Sequence, residues 1–252
     1  MVGVDATPGA LRGGVDAAAG ASPPRAVGTL FTTAIALANM NDTERQLVDS
    51  GVVAVLRNID ADAMIDTVEA LHRGGVTAFE VTVDARNASE LVGDVVETFA
   101  DEDAVVGAGS VLDAAAARSA IEAGAEFVVG PTLEEDVIET ANRYDTLVAP
   151  GVMTPTEALR AAEAGADLIK VFPASTVGPG HLSAIQAPLG DLPLMPTGGV
   201  GPDNVADFFD AGATVVGAGS AIIDYDAIER GDFDAVESHA AEFVAAVEDA
   251  RE

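Results

Sequence analysis

The amino-acid sequence predicts an α/β fold of the (β/α)8 TIM-barrel class. Four times, a helix-like stretch ends in glycine and runs into an apolar segment: HRGGVTAFEVTV (72–83), IEAGAEFVVG (121–130), AEAGADLIKVF (162–172) and FDAGATVVGAG (209–219). Glycine just beyond a helix end takes the left-handed conformation that stops the helix and turns the chain. The units are 40–50 residues apart, and further apolar runs precede or separate them. Short apolar strands that alternate with helices are typical of parallel strands covered by helices.

The remaining strands follow from the same pattern. They are VVAVLR (52–57), AVVGAG (104–109), TLVAPG (146–151) and LPLMPTGG (192–199). Helix starts are predicted at Thr154–Glu157, where a capping Thr precedes Pro and Glu, at the similar Thr132–Glu135, and at Gly201–Pro202. Eight βα units in 213 residues from Met40 onward suggest a compact barrel. A doubly wound open sheet is the alternative, but no glycine-rich fingerprint follows Arg57 at the first turn.

The charge of the chain excludes one class of function and predicts an environment. With 42 acids, 12 bases and a net charge of −30, the chain would repel a nucleic-acid backbone. Such self-repulsion is tolerated where concentrated salt screens it, to about 3 Å at 1 M. The composition therefore predicts a high-salt cytoplasm, such as that of a halophilic archaeon. Eleven of the 12 bases are arginine, and the single lysine is Lys170. Cysteine is absent, so disulfides and thiolate chemistry are excluded.

The first 39 residues differ from the rest. They carry two acids and two arginines, whereas residues 40–252 carry the other 40 acids and 10 bases. They are rich in Gly, Ala, Ser and Pro, which is typical of a disordered extension. Residues 26–39 also resemble a short signal-peptide core, although the preceding segment is a poor match. A start codon assigned too far upstream, with Met40 as the true start, is the favoured interpretation. The apolar stretch of about 14 residues is too short to span a bilayer, so no membrane association is expected.

The carboxyl ends of barrel strands predict the active site. Active sites of (β/α)8 barrels lie at this end, and alternate strand residues face the axis. Strand parity turns Glu80, Thr82, Leu168, Lys170 and Phe172 inward. The residues found at the predicted strand ends are Arg57, Glu80, Gly109–Ser110, Gly130–Pro131, Pro150–Gly151, Lys170, Thr197–Gly198–Gly199 and Gly219–Ser220.

Lys170 and Glu80 are the candidate catalytic residues. Apolar surroundings disfavour the charged form of an amine, so a nucleophile that condenses with a ketone becomes available. An inward carboxyl at Glu80 would shuttle protons. The alternative for Lys170 is a side chain that extends along the strand to solvent. For Glu80 the alternative is one more acid in a chain rich in acids.

Two late glycine loops predict a phosphate site. PTGGV (196–200) and GAGS (217–220) follow the last two strands, where barrels often bind phosphate through backbone N–H groups. Simple tight turns are the alternative. The three histidines have no carboxylate at a metal-ligand spacing, so no metal site is predicted.

The motifs resemble those of the 2-keto-3-deoxy-6-phosphogluconate and 4-hydroxy-2-oxoglutarate aldolase family, over about residues 42–250. They are AVLR (54–57), FEVTV (79–83), GAGSVL (107–112), EFVVGPTL (126–133), PGVMTPTEA (150–158), LIKVFPA (168–174), PTGGV (196–200) and GAGSAI (217–222). The resemblance implies a class I aldolase without a cofactor and a homotrimer. The implied substrate is a phosphorylated 2-keto-3-deoxy sugar acid, and the predicted reaction is cleavage of 2-keto-3-deoxy-6-phosphogluconate to pyruvate and glyceraldehyde 3-phosphate. The alternative substrates are 2-keto-3-deoxy-6-phosphogalactonate and 4-hydroxy-2-oxoglutarate.

The resemblance also implies roles for residues. Lys170 would form the Schiff base and Glu80 would be the general acid/base. Gly198, Gly199 and Ser220 would hold the phosphate, and the Ser110 hydroxyl would face the pyruvate carboxylate. Pro131 and Gly219 are further implied substrate-binding residues. Thr197 would contact substrate hydroxyls, and a threonine at this position favours the gluconate epimer as substrate over the galactonate epimer. Many family members carry a carboxylate-binding arginine where this chain has Asp84, so Arg57 is the implied anchor and Arg86 the reserve.

Overall fold

Helices and parallel strands alternate along the chain in the computed structural model, which describes residues 41–83, 87–100 and 102–252. The strands are β1 (Val52–Leu56), β2 (Ala78–Thr82), β3 (Val105–Gly109), β4 (Phe127–Val129), β5 (Leu147–Ala149), β6 (Gly151–Val152), β7 (Ile169–Val171), β8 (Leu194–Pro196) and β9 (Val216–Ala218). The helices are α1 (Asp42–Ser50), α2 (Ala61–Arg73), α3 (Ala88–Thr98), α4 (Ala114–Glu122), α5 (Glu135–Arg143), α6 (Pro155–Ala164), α7 (Ala174–Val177), α8 (Pro179–Leu189), α9 (Val205–Asp210), α10 (Tyr225–Arg230) and α11 (Phe233–Arg251). Each of the eight predicted apolar runs contains a strand.

The strands form two parallel sheets, so the protein has an α/β fold. One sheet has the order β5-β4-β3-β2-β1-β9 and the other β6-β7-β8. The fifth predicted strand is divided into β5 and β6 at Pro150, because proline has no N–H to donate. The Pro150 carbonyl nevertheless accepts from Lys170 N at 3.0 Å, and the Val148 carbonyl accepts from Leu168 N at 3.2 Å. Among the described pairings, strand order never reverses as a doubly wound sheet requires.

Alternate strand residues pack into two separate apolar clusters. The larger cluster joins the outward faces of the strands to the helices. The smaller lies on the other face of the strands and is made of Leu47, Val53, Ala78, Val105, Phe127, Val129, Leu147, Ala149, Leu168, Met195 and Val215. Ala78, Leu168 and Met195 each stand two residues before a buried polar residue, namely Glu80, Lys170 and Thr197, in or directly beside a strand. Glu80 and Lys170 therefore lie on the same face of the strands, as the period of two predicts.

Helix starts agree with the sequence prediction at one of three places. Thr154 and Glu157 form a complete capping box, with Pro155 in the first turn of α6. The prediction at Thr132 is wrong, since α5 begins at Glu135. The Thr132 hydroxyl donates to Glu134 at 3.1 Å, and its carbonyl accepts from Gly151 N.

The predicted helix start at Gly201–Pro202 is also wrong, because α9 begins at Val205. The Asn204 side chain accepts from Gly201 N and donates to the Gly199 carbonyl, both at 2.9 Å. These two bonds hold residues 201–204 in a turn and delay the helix.

The predicted extension, residues 1–39, lies outside the described residues. Within the described part of the chain, no helix is both long enough and apolar enough to cross a membrane.

Candidate active site

A buried amine and a buried carboxylate meet at the carboxyl ends of β2 and β7. Lys170 Nζ lies 3.6 Å from Glu80 Oε1, and the two side chains are 6% and 0% exposed. Neither Glu80 oxygen has a hydrogen-bond partner among the described residues. Burying charged groups costs free energy. The rest of the fold must therefore supply the stability that keeps this pair buried. The alternative of a Lys170 side chain extended to solvent is wrong.

Aromatic and glycine residues line the neighbourhood of the amine. The Phe172 ring centroid is 5.4 Å from Lys170 Nζ, and Phe172 is 38% exposed. A Cβ atom at Gly198 would lie 3.3 Å from the Phe172 ring, so the glycine loop after β8 packs against this ring. The Phe172 ring therefore lies close to both the Lys170 amine and the loop that contains Gly198.

Arg57 and Ser110 meet above β2, although they follow β1 and β3. Arg57 Nη2 donates to Ser110 Oγ at 2.5 Å. Ser110 has a φ of 61°, which is uncommon for a residue other than glycine. The Arg57 carbonyl accepts from the Tyr225 hydroxyl at 3.0 Å, and burial raises the pKa of Tyr225. Arg57 is thereby tied to α10 through its backbone and to β3 through its side chain.

Thr197 is buried where β8 meets β9. Its hydroxyl donates to the Met195 carbonyl at 3.4 Å, and Thr197 pairs with Gly217 across the strands. A Cβ atom at Gly217 would overlap Thr197 Oγ1 and lie 2.9 Å from its Cγ2. Glycine at 217 therefore makes room for the Thr197 side chain.

The two predicted phosphate loops begin on neighbouring strands. Gly198 and Gly199 have φ values of 88° and 81°, which require glycine. The Gly198 carbonyl accepts from Ser175 N at 2.8 Å, which ties the loop to α7. Gly219 and Ser220 follow β9, where the Gly219 carbonyl accepts from the Ile222 and Ile223 amides and Ser220 is exposed.

The other predicted residues have different outcomes. Pro131 follows β4, and its backbone packs closely against Gly151. A Cβ atom at Gly151 would overlap the Pro131 carbonyl group. Asp84 and Arg86 lie outside the described residues. Among the residues that are described, no group of three or more His, Asp or Glu side chains could hold a metal ion.

Sequence reasoning missed two contributors. Gly217 was visible only as part of a loop motif, because its role depends on strand pairing that the sequence does not reveal. No sequence signal indicated Tyr225, which reaches Arg57 from α10 across 168 positions.

The fold and the site define the class of protein, and known proteins define the family. Parallel strands that present a buried amine beside a carboxylate are suited to carbonyl chemistry, which is the chemistry that a lyase of the aldolase type performs. A family model for KDPG and KHG aldolases matches residues 43–239. The chain therefore belongs to the KDPG/KHG aldolase family.

Individual relatives agree with this assignment. The chain is 35% identical to 2-dehydro-3-deoxy-6-phosphogalactonate aldolase of Escherichia coli K12, over 67% of this chain and 82% of the relative. It is 32% identical to the KHG/KDPG aldolase of the same organism, over 80% and 94%. A solved structure described as native KDPGal superposes with a TM-score of 0.73 at 33% identity, over 79% of this chain and 95% of that one.

Proposed function

We propose that this aldolase cleaves 2-keto-3-deoxy-6-phosphogluconate to pyruvate and glyceraldehyde 3-phosphate through a Schiff base on Lys170. The observation that carries the proposal is the buried pair of Lys170 and Glu80, 3.6 Å apart. A nucleophile beside a proton-transfer group is the arrangement that covalent catalysis on a ketone needs.

The reaction begins at the ketone. The neutral Lys170 amine attacks C2, and the resulting carbinolamine loses water to form a protonated imine. Removal of the C4 hydroxyl proton then breaks the C3–C4 bond, and its electron pair moves into the imine to give an enamine. Glyceraldehyde 3-phosphate leaves. Protonation at C3 and hydrolysis release pyruvate and restore the amine.

Glu80 would take the C4 proton and return one to C3. Its unpartnered oxygens support this role, because a carboxylate free of other hydrogen bonds can accept a proton from substrate. The imine itself accepts the electron pair, so the proposed route requires no metal or organic cofactor.

The ends of the substrate would be held by the surrounding loops. Arg57, with Ser110 and Pro131 nearby, would bind the pyruvate portion and its carboxylate, since a guanidinium matches a carboxylate in charge and shape. The amides of Gly198, Gly199, Gly219 and Ser220 would bind phosphate. Backbone amides suit this task in a chain of charge −30, because they supply local positive dipoles.

A galactonate-series substrate is the second candidate. The 35% identity to a 2-dehydro-3-deoxy-6-phosphogalactonate aldolase favours it. Thr197 favours the gluconate series, as the family resemblance implies. A buried hydroxyl that can meet the C4 substituent would discriminate between the two epimers.

An assay of pyruvate release from both epimeric phosphates decides between these candidates. We expect kcat/KM for the gluconate epimer to exceed that for the galactonate epimer at least tenfold, about 1.4 kcal/mol of discrimination. A reversed ratio would assign the chain to the galactonate series. 4-Hydroxy-2-oxoglutarate is the third substrate to include, because it lacks the phosphate that the glycine loops would hold.

We also propose that the two sheets close into a (β/α)8 barrel. The β1–β9 pairing, the bridge between Thr197 and Gly217, and the bonds across Pro150 support closure. Three copies would assemble into a homotrimer, which light scattering tests against the 25.4 kDa chain. Residues 40–252 would form the aldolase domain, and a chain beginning at Met40 should keep full activity.

A further inference from the structure

The carboxylate of Glu80 occupies the space that a side chain at Gly109 would fill. A Cβ atom at position 109 would overlap Glu80 Oε1 and would lie 2.5 Å from both Cδ and Cγ. Real Cβ atoms do not approach heavy atoms to within 3.0 Å. Any residue other than glycine at this position would therefore move the Glu80 carboxylate.

The backbone itself does not require glycine at 109. Gly109 is absent from the glycines with positive φ, so its conformation is open to any L-residue. Its carbonyl accepts from Val83 N at 2.8 Å, and its register partner on β2 is Thr82. Alanine would keep both of these interactions, and the three atoms nearest to its Cβ would all belong to the Glu80 side chain.

The position of Glu80 depends on packing rather than on hydrogen bonds. Its two oxygens have no hydrogen-bond partner within the described part of the chain, and Lys170 Nζ is 3.6 Å away. Lys170 attracts the carboxylate from one side, and the bare surface of Gly109 leaves the space in which it rests on the other. We infer that Gly109 is a positioning residue, which holds the Glu80 carboxylate against the Lys170 amine. This inference rests on the proposed function of Glu80.

A second inward glycine on β3 has a different neighbour. A Cβ atom at Gly107 would overlap the Phe127 ring, which is a rigid and buried group. Glutamate, by contrast, has three rotatable bonds, so its carboxylate can adopt another position when a methyl group is added at Gly109. Substitution at Gly109 is therefore expected to displace a functional group while leaving the fold in place.

The test compares Gly109→Ala, Glu80→Gln and the double variant with the full-length parent chain. Three readouts are measured: the melting temperature, trapping of pyruvate on Lys170 by borohydride, and exchange of pyruvate methyl protons with D2O. Exchange reports proton transfer at C3, which is the step assigned to Glu80. Gly93→Ala is the matched control, because a Cβ atom there meets only the Ala123 carbonyl at 3.7 Å.

We expect Gly109→Ala to keep trapping and the melting temperature but to lose exchange and cleavage about 100-fold, the scale of general acid–base catalysis. In the Glu80→Gln background, Gly109→Ala should lower the exchange and cleavage rates less than about twofold. The effects of two substitutions are not additive when one residue acts through the other. Gly93→Ala should match the parent in trapping, exchange and cleavage, and its melting temperature should not fall, because alanine favours the helix more than glycine does.

Three outcomes would overturn the inference. Exchange near the parent rate in Gly109→Ala, beside a loss in Glu80→Gln, would show that Glu80 does not need Gly109. An equal loss in the Glu80→Gln background would show that position 109 acts by another route. Full activity of Glu80→Gln would remove the proposed role of Glu80, and the inference would fail with it.

Discussion

Glu80 Oε1 lies 3.6 Å from Lys170 Nζ, although the two residues lie on strands β2 and β7 that are not paired with each other. Both side chains stand on the face that carries the smaller apolar cluster, two residues beyond Ala78 and Leu168 respectively. The smaller apolar cluster therefore lies next to the pair, on the side toward the amino ends of the strands. This arrangement gives the site its reactive groups, and the surrounding loops determine what they act on.

Replacement of Arg57 tests the assignment of the carboxylate anchor. Arg57→Ala should raise KM about 10- to 100-fold, the scale of a lost hydrogen bond to a charged group, with a smaller effect on kcat. Steady-state kinetics with the phosphorylated substrate measure both. Arg86→Ala is the matched control and should change KM far less. The reverse order would transfer the anchor to Arg86.

Replacement of Thr197 tests the basis of epimer discrimination. Thr197→Val removes the hydroxyl and keeps the branched shape, so the preference for the gluconate epimer should fall about tenfold, as expected for one hydrogen bond. The ratio of kcat/KM for the two epimers is the readout. Thr67→Val is the control, because Thr67 is also fully buried but donates to Ala63 within α2, where its loss should leave the ratio unchanged. An unchanged ratio in Thr197→Val would place discrimination elsewhere.

Asp167 makes stability depend on pH. Burial raises the pKa of Asp167 from 3.8, more than its bond from Val148 N lowers it, and Asp145 raises it further. The folded protein therefore binds this proton more tightly than the unfolded chain, and the associated stability is lost as pH rises through the folded pKa. At pH 7 the melting temperature of Asp167→Asn should be higher than that of the parent. Near pH 4 this difference should become smaller, because Asp167 is then protonated in the folded parent.

The control for this series is Asp203→Asn, which alters an exposed carboxylate in a turn. The difference in melting temperature between Asp203→Asn and the parent should change little with pH. A constant gap between parent and Asp167→Asn from pH 4 to pH 7 would contradict the burial argument.

Salt should stabilise the folded chain. Residues 40–252 carry 40 acids against 10 bases, and their repulsion is screened over about 10 Å at 0.1 M salt but about 3 Å at 1 M. Burial, followed by the charge of Asp167, raises the pKa of Glu44, which shows such repulsion locally. Thermal unfolding in 0.1 M and in molar KCl should give a lower midpoint in the dilute buffer. Equal midpoints would contradict adaptation to high salt.

The strands and the reactive pair were predictable from sequence, and for related reasons. Apolar runs that end in polar residues locate strand ends, and a period of two then turns Glu80 and Lys170 to one face. Lys170 was conspicuous as the single lysine in the chain. Thr154 and Glu157 predicted a helix start because all of the capping interactions lie within four residues.

Other features depend on contacts that the sequence does not reveal. The sequence does not distinguish a glycine that permits a turn, such as Gly198, from one that leaves space for a neighbouring side chain, such as Gly109. In the register of β2 and β3, Thr82 is opposite Gly109, and the side chain of Glu80, two residues earlier on the same face, extends over Gly109. The Thr132 prediction failed for the same reason, since its carbonyl is held by Gly151 from the following strand segment.

The central claim is that Lys170 forms an imine with substrate, and borohydride trapping tests it most directly. Borohydride reduces an imine to a stable secondary amine, so pyruvate with borohydride should inactivate the enzyme and add one three-carbon unit. Lys170 is the single lysine, so the terminal amine is the sole other primary amine in the chain. Peptide mapping should place the adduct within ADLIKVFPA. Lys170→Arg should lose both trapping and cleavage, because a guanidinium stays protonated and cannot form the imine. Its melting temperature checks that the variant folds. Cleavage near the parent rate by that variant, or an adduct confined to the terminal amine, would contradict the account.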